Sequence, residues 1–137
     1  MHHTFAIIKP DAVQRGLVGK VIKRLEQRGF VITKMELRQL HRTEVEDLYA
    51  KFEGEDFFDD LCRFMCGGDG AIPMILYRME KPVPVLRKLA GDTAQPAPGT
   101  IRGDLSDTFR RNIIHAADST EAASYEAEIF FPDNGIM

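Results

Sequence analysis

The sequence has no tryptophan and only two cysteines, Cys62 and Cys66. Two thiols four residues apart on one expected helix make no disulfide framework. No third or fourth ligand lies near them in sequence, so they read as small buried hydrophobes rather than a metal site. No apolar run approaches the ~20 residues that a membrane-spanning helix needs. The chain enters an apolar strand almost at once, with no basic segment before it, which predicts no signal peptide and a cytoplasmic setting. A strong charge excess is also missing. The 18 Lys and Arg against 21 Asp and Glu leave a formal net charge of −3, which argues against a general nucleic-acid binder.

What is present is an ordinary globular composition, 44% hydrophobic and 28% charged, in 137 residues. That length suits one domain with a real core, and no repeat or linker divides it, so we expect a single domain over residues 1–137. TFAIIKP reads as a short buried strand stopped by Pro10. Leu17, Val18, Val21, Ile22 and Leu25 share one helical face, and Gly29 stands where that helix should end. Residues 30–40 look extended, with Val31, Thr33, Met35 and Leu37 on one side. Thr43 and Glu46 resemble a capping box. A second short helix should open at Asp56 and end at Gly67–Gly68. Residues 71–79 read as a strand, 84–90 as a helix closed by Gly91, and 92–103 as a loop rich in breakers. Ile113–Ile114 should be the last strand, and Asp118 with Glu121 should cap a last helix running through Glu126. Helices and strands alternate, but too few strands are present for a doubly wound sheet. The expected fold is α+β, a ferredoxin-like sandwich with a four-stranded antiparallel sheet.

The stretch RNIIHAADS, residues 111–119, places one imidazole at the end of an apolar run and beside two alanines. A neutral imidazole is a good nucleophile, and a free one is mostly neutral at physiological pH. An incoming phosphoryl group needs open space, which Ala116 and Ala117 leave. The second ring nitrogen must also be held, and Glu126 can do so if the last helix folds back. Taken alone, His115 reads more readily as a packed core histidine with its N–H satisfied. Lys9, Arg87 and Arg102, each a surface charge when read singly, would form a cationic ring if the element ends converge. A triphosphate needs such a ring. No P-loop is present, and GGDG at 67–70 lacks the lysine and the helix start of one.

FAIIKPDAVQRGLVGKVI, PGTIRGD and RNIIHAADS with its downstream Glu resemble the nucleoside diphosphate kinase family, in order, from Thr4 to about Phe131. The resemblance implies a ping-pong phosphotransferase. His115 would take the γ-phosphoryl of a nucleoside triphosphate, typically ATP, and pass it to a nucleoside diphosphate. Glu126 matches the residue that orients the imidazole. Lys9, Tyr49, Arg102 and Asn112 match residues around the phosphates and ribose, Arg87 and Thr93 a β-phosphate pair. Phe57 matches the aromatic that stacks on the base, with Leu61 beside it. Stacking without edge hydrogen bonds implies broad base specificity. Mg²⁺ would arrive with the nucleotide, held through its phosphates rather than by a protein cage. The resemblance also implies a homo-oligomer built from dimers, tetramer or hexamer, with residues 30–40 as the paired edge.

Three departures stand out. The family's usual His-Gly-Ser-Asp is His-Ala-Ala-Asp here, so Ala117 lacks a hydroxyl that would bond the orienting Glu; a slower or less stable enzyme is expected, not a dead one. CGGDGAI at 66–72 looks about two residues longer than the family turn, and 94–98 correspondingly shorter, which bears on Arg87 and Thr93. The chain also ends soon after Phe131, where many members carry a longer tail. Two other readings share the same residues: a phosphohistidine carrier, or a non-catalytic nucleotide-binding relative. An RNA-binding sheet would need basic residues and paired aromatics on one face, and only Phe5 and Tyr77 offer themselves. RGD at 102–104 reads as a loop Arg followed by a helix-capping Asp104 rather than as an adhesion motif.

Overall fold

Strand β1 (His3–Ile8) sends Phe5 and Ile7 to one face and Ala6 and Ile8 to the other, and all four are fully buried. A strand apolar on both faces must be covered on both. The computed structural model describes residues 2–108 and 111–137, and in it β1 is a central strand. It pairs antiparallel with β3 (Ile72–Tyr77) on one side and with β4 (Ile114–Ala116) on the other. β2 (Val31–Met35) pairs antiparallel with the far side of β3, giving the order β2-β3-β1-β4. β1 and β2 therefore run parallel with β3 between them, the split βαβ arrangement of a ferredoxin-like α+β sandwich. The expected fold class is the one observed.

Helices cover each face. On one side lie α2 (Val18–Gln27) with Val21 and Leu25, α5 (Pro82–Ala90) with Leu86 and Leu89, and Ile101 from α6 (Ile101–Leu105). On the other lie α3 (Arg42–Leu48) with Val45 and Leu48, α4 (Phe58–Met65) with Leu61, Cys62 and Met65, and α7 (Thr120–Phe130) with Ala123, Ala127 and Phe130. Phe5 stacks on Phe130 under α7, centroids 5.4 Å apart, so it is closed to any stacking base. No helix among the described residues is long and apolar enough to cross a membrane.

Several local expectations need correction. A short helix, α1 (Pro10–Gln14), follows β1, because Pro10 starts a helix as readily as it stops a strand. The loop at 92–103 gives way to α6, capped by the Thr100 hydroxyl, which accepts the Gly103 N–H. Asp104 accepts the Gly99 N–H and pairs with Arg24 at 2.8 Å instead. α3 begins earlier than the Thr43 box predicts: the Glu44 carboxylate accepts the His41 N–H at 2.9 Å. α7 is capped by Ser119, not Asp118. The extended segment at 30–40 is a five-residue edge strand with a register shift between Ile32 and Lys34, plus a separate bridge from Arg38 to Ala71. That shift splits the expected face: Val31 pairs with Tyr77 and Met35 with Met74, three apart on β3 and so on opposite faces, and Val31, Met35 and Leu37 are 55%, 49% and 58% exposed.

Candidate active site

The cleft opens where β4 meets the loops before α4, after α5 and before α7, and holds about 500 Å³. His115, the middle residue of β4, turns away from the core side chains of Ile114 and Ala116. Its Nε2 lies 2.7 Å from Glu126 Oε1, on the buried face of α7. A carboxylate only accepts, so Nε2 carries the proton and Nδ1 keeps its lone pair. Tyr49, at the end of α3, meets the imidazole edge-on at 6.0 Å, and Phe5 does so at 6.4 Å. These rings fix the tilt of a side chain whose far nitrogen is already tied.

The cations converge from three separated segments. Lys9, just after β1, is buried, and its Nζ donates to Asn112 Oδ1 at 2.6 Å. Burial, then the nearby Arg102 charge, pull Lys9 down to about 8, against a smaller upward pull from Asp11. Arg102 on α6 is held through its two Nη groups, which donate to the carbonyls of Gly91 at 2.6 Å and Ile114 at 2.7 Å. Its Nε is buried with no partner among the described residues. Burial, then Arg87, lower Arg102 to about 10, so it stays charged at neutral pH. Arg87, on the exposed side of α5, reaches toward the Ala116 carbonyl at 3.5 Å. Two buried cations beside an arginine, none of the three within 4 Å of a carboxylate oxygen among the described residues, make a site that favours a multiply charged anion.

The other expected residues come to the same place. Thr93 lines the cleft just past the end of α5, Phe57 and Leu61 at the start of α4, and Asn112 ahead of β4. Phe57 meets Phe52 edge-on at 5.3 Å, and Phe52 stacks on Tyr49 at 6.1 Å, an aromatic wall leading from the mouth to His115. Burial pushes the Tyr49 hydroxyl well above its usual range, aided by the Glu126 charge, so it stays protonated. The loop-length departures do not displace Arg87 or Thr93 from the cleft.

Sequence reasoning missed some residues. Lys51 and Phe52 line the mouth, and Lys51 pairs with Asp118 at 3.7 Å, so Asp118 belongs to the rim of the cleft rather than to a helix cap. Asp11 lies buried behind the floor; Oδ2 accepts the Ile113 N–H at 3.1 Å. Nothing in residue type flagged these: a Lys beside a Phe and an Asp after Lys-Pro are common surface patterns. Among the described residues no cluster of His, Cys, Asp and Glu could by itself hold a metal ion.

The profile of the nucleoside diphosphate kinase family matches residues 2–136. A nucleoside diphosphate kinase of Thermomicrobium roseum is 44% identical over 141 aligned positions, covering all of this chain and 92% of that protein. One from Ignicoccus hospitalis is 43% identical, covering all of this chain and 93% of that protein. Among solved structures, the Encephalitozoon cuniculi enzyme superposes with a TM-score of 0.91 at 32% identity, over 97% of this chain and 90% of its own. A Halobacterium salinarum nucleoside diphosphate kinase in complex with CDP superposes with a TM-score of 0.89 at 34% identity, over 96% of this chain and 88% of its own.

Proposed function

Because this chain belongs to the nucleoside diphosphate kinase family, a family of phosphotransferases, we propose that it moves the γ-phosphoryl of a nucleoside triphosphate to a nucleoside diphosphate through a phosphohistidine on His115. One observation carries the reading. His115 has Nε2 tied to Glu126 and stands in a cleft lined by Lys9, Arg87 and Arg102.

In the first half-reaction the Nδ1 lone pair of His115 attacks the γ-phosphorus. The bond to the β,γ-bridging oxygen breaks, its electrons stay on the β-phosphate, and the diphosphate leaves. The imidazole gains positive charge as the N–P bond forms, and the Glu126 carboxylate stabilises that charge through Nε2–H. In the second half a terminal β-phosphate oxygen of another nucleoside diphosphate attacks the same phosphorus, and the P–N bond breaks. Lys9, Arg87 and Arg102 balance the charge spread over the phosphoryl oxygens, Arg102 offering its unpartnered Nε. Thr93 supports the β-phosphate, and Tyr49 and Asn112 the ribose and phosphates. The base stacks on Phe57 beside Leu61, with no edge donors required, which accounts for broad base use. The CDP complex of the Halobacterium relative supports a pyrimidine diphosphate as one substrate.

The donor set fits Mg²⁺ delivered on the nucleotide. Three cations oppose a bare divalent ion but accept its polyphosphate complex, and Asp92 and Asp118 at the rim are the carboxylates that can meet it. When bound, the ion neutralises phosphate oxygens. We also propose one domain over residues 1–137, a cytoplasmic setting, and a homo-oligomer of dimers, tetramer or hexamer. The unpaired edge of β2, at the end of the sheet, serves as the pairing edge.

The test is label transfer. The protein is incubated with γ-labelled ATP and Mg²⁺, quenched in alkali, mapped by mass spectrometry, and chased with GDP beside His115→Ala. Alkali-stable, acid-labile label on His115 that passes to GTP is expected. Label that GDP cannot remove would point instead to a phosphocarrier, and no label to a non-catalytic relative.

A further inference from the structure

Asn112 and His115 both line the cleft, yet they are three residues apart. In a regular strand, positions three apart point to opposite faces. The break lies at Ile113, which has φ +78, a left-handed backbone on a β-branched residue. The Ile114 N–H donates to the Asn112 carbonyl at 2.8 Å, closing a three-residue γ-turn of the rare, strained kind. The turn puts Ile113 and Ile114, neighbours in sequence, into the same core cluster. It thereby frees Asn112 to meet Lys9 while His115 faces α7.

Such a turn persists only where its surroundings hold it. The segment after β1 does this from both sides. The Lys9 N–H donates to the Ile113 carbonyl at 2.8 Å, and the Ile113 N–H donates to Asp11 Oδ2 at 3.1 Å. Of these two bonds only the second uses a side chain. The Asp11 carboxylate is buried, and its Oδ1 has no partner among the described residues. A buried acid half left without a partner is retained at a cost, which points to a role for the half that is used.

We propose that Asp11 is a positioning residue for phosphoryl transfer: its carboxylate oxygen holds the Ile113 γ-turn and so keeps Lys9, Asn112 and His115 on one cleft. It touches no reacting atom. The inference rests on the phosphohistidine reading for its kinetic consequence, but not for its structural one.

Asp11→Asn keeps an acceptor oxygen in place without the charge. Asp11→Glu keeps the charge and moves the acceptor by one methylene. Asp11→Ala removes both. The rate of His115 labelling at saturating Mg·ATP is measured in single turnover at pH 7, below the Lys9 titration, together with hydrogen exchange of the Ile113 amide by NMR. Ala and Glu are expected to slow labelling about 10- to 100-fold, the scale of a misplaced reacting group, and to unprotect the Ile113 amide. Asn is expected to recover most of the rate and the protection. A folded Ala or Glu variant that labels within threefold of the parent overturns the proposal, as does an Asn variant as slow as Ala. If the Ala variant does not fold, the Asn–Glu contrast still decides. Should the parent protein itself take no label, the functional reading fails. The exchange data alone then judge the turn: an Ile113 amide still protected in Asp11→Glu or Asp11→Ala refutes it.

Discussion

Replacing Glu126 tests the mechanism at its most exposed joint. The His115–Glu126 contact is 2.7 Å long, the length of a charge-assisted hydrogen bond, and both side chains are mostly buried, at 17% and 10% exposure. A hydrogen bond to a charged group in such a place contributes about 1.5–3 kcal/mol. Glu126→Ala should therefore slow phosphohistidine formation roughly 10- to 150-fold, at about 1.4 kcal/mol per decade. Binding of a nucleoside diphosphate should change little, because Glu126 faces the imidazole and not the cationic ring. Glu126→Gln keeps a partner for Nε2 but not the charge, and should fall between parent and Ala. Ala117→Ser is the converse change: a hydroxyl reaching Glu126 should raise the rate by up to about tenfold. The assay is rapid-quench labelling of His115 at saturating Mg·ATP, with diphosphate affinity by calorimetry. A folded Glu126→Ala protein that labels within threefold of the parent would refute the argument that Nε2 must be held. A large loss of diphosphate affinity would show that Glu126 acts on the nucleotide instead.

Lys9 carries a pH signature. Its value in the folded protein, about 8, lies below the ordinary lysine value of 10.5, so it releases its proton more easily folded than unfolded. Between those values the unfolded chain binds more protons, and Lys9's contribution to stability rises with pH across that window. Nucleotide affinity should move the opposite way, weakening above about pH 8 as the charge is lost. Calorimetry at pH 8 in buffers of different ionisation enthalpy should show proton uptake on diphosphate binding, and Lys9→Met should abolish it; uptake that persists in the variant would reject the assignment. Gly103 offers a structural test. A Cβ there would overlap the Ala97 carbonyl oxygen, so Gly103→Ala must deform the turn that carries Arg102. About 1–3 kcal/mol of lost stability is expected, seen in a melting curve as a drop of roughly 3–10 °C. Weaker nucleotide binding should accompany it, and an unchanged melting temperature would show that the turn yields freely.

The parts of the fold that were legible share one cause: a periodicity long enough to repeat. β1 reads as buried because four successive residues are apolar, and α2 because Val21 and Leu25 recur on one face. Short elements lack that redundancy. α1 and α6 have five residues each, with Pro or Gly inside or beside them, and residue type alone leaves them as loop. Caps slip by a residue or two because several neighbours can each supply the oxygen. Asp118 and Ser119 are both plausible before α7, and the backbone lets Ser119 reach the Ala122 N–H. β2 is found as the expected edge strand, but its faces differ from the alternation for another reason. Alternation of Val31, Met35 and Leu37 reads as one face, but the extra residue between Ile32 and Lys34 carries Val31 and Met35 to opposite faces, and residue type does not announce such a bulge.

The cleft shows the same division more sharply. Lys9, Arg102, Asn112 and His115 each stand in a distinctive string, so resemblance finds them, whereas Lys51 and Phe52 of the same cleft stand in none. The residues that bring those side chains together are not distinctive. Lys9, Arg102 and His115 are more than 90 and then 13 positions apart. They meet because Arg102 bonds the carbonyls of Gly91 and Ile114, and Lys9 bonds Asn112. The two Arg102 contacts are backbone-directed and depend on where a carbonyl points, hardly on which residue bears it, whereas the Lys9 contact joins two side chains 103 positions apart. Ile113 is the extreme case. Written as one of two adjacent isoleucines, it reads as ordinary strand, yet its φ of +78 is what allows Asn112 and His115 to share a cleft. A strand pattern with side chains needed at a spacing of three is itself the missing signal: regular alternation cannot deliver it, so a turn must be sought between them, and something buried must be holding that turn.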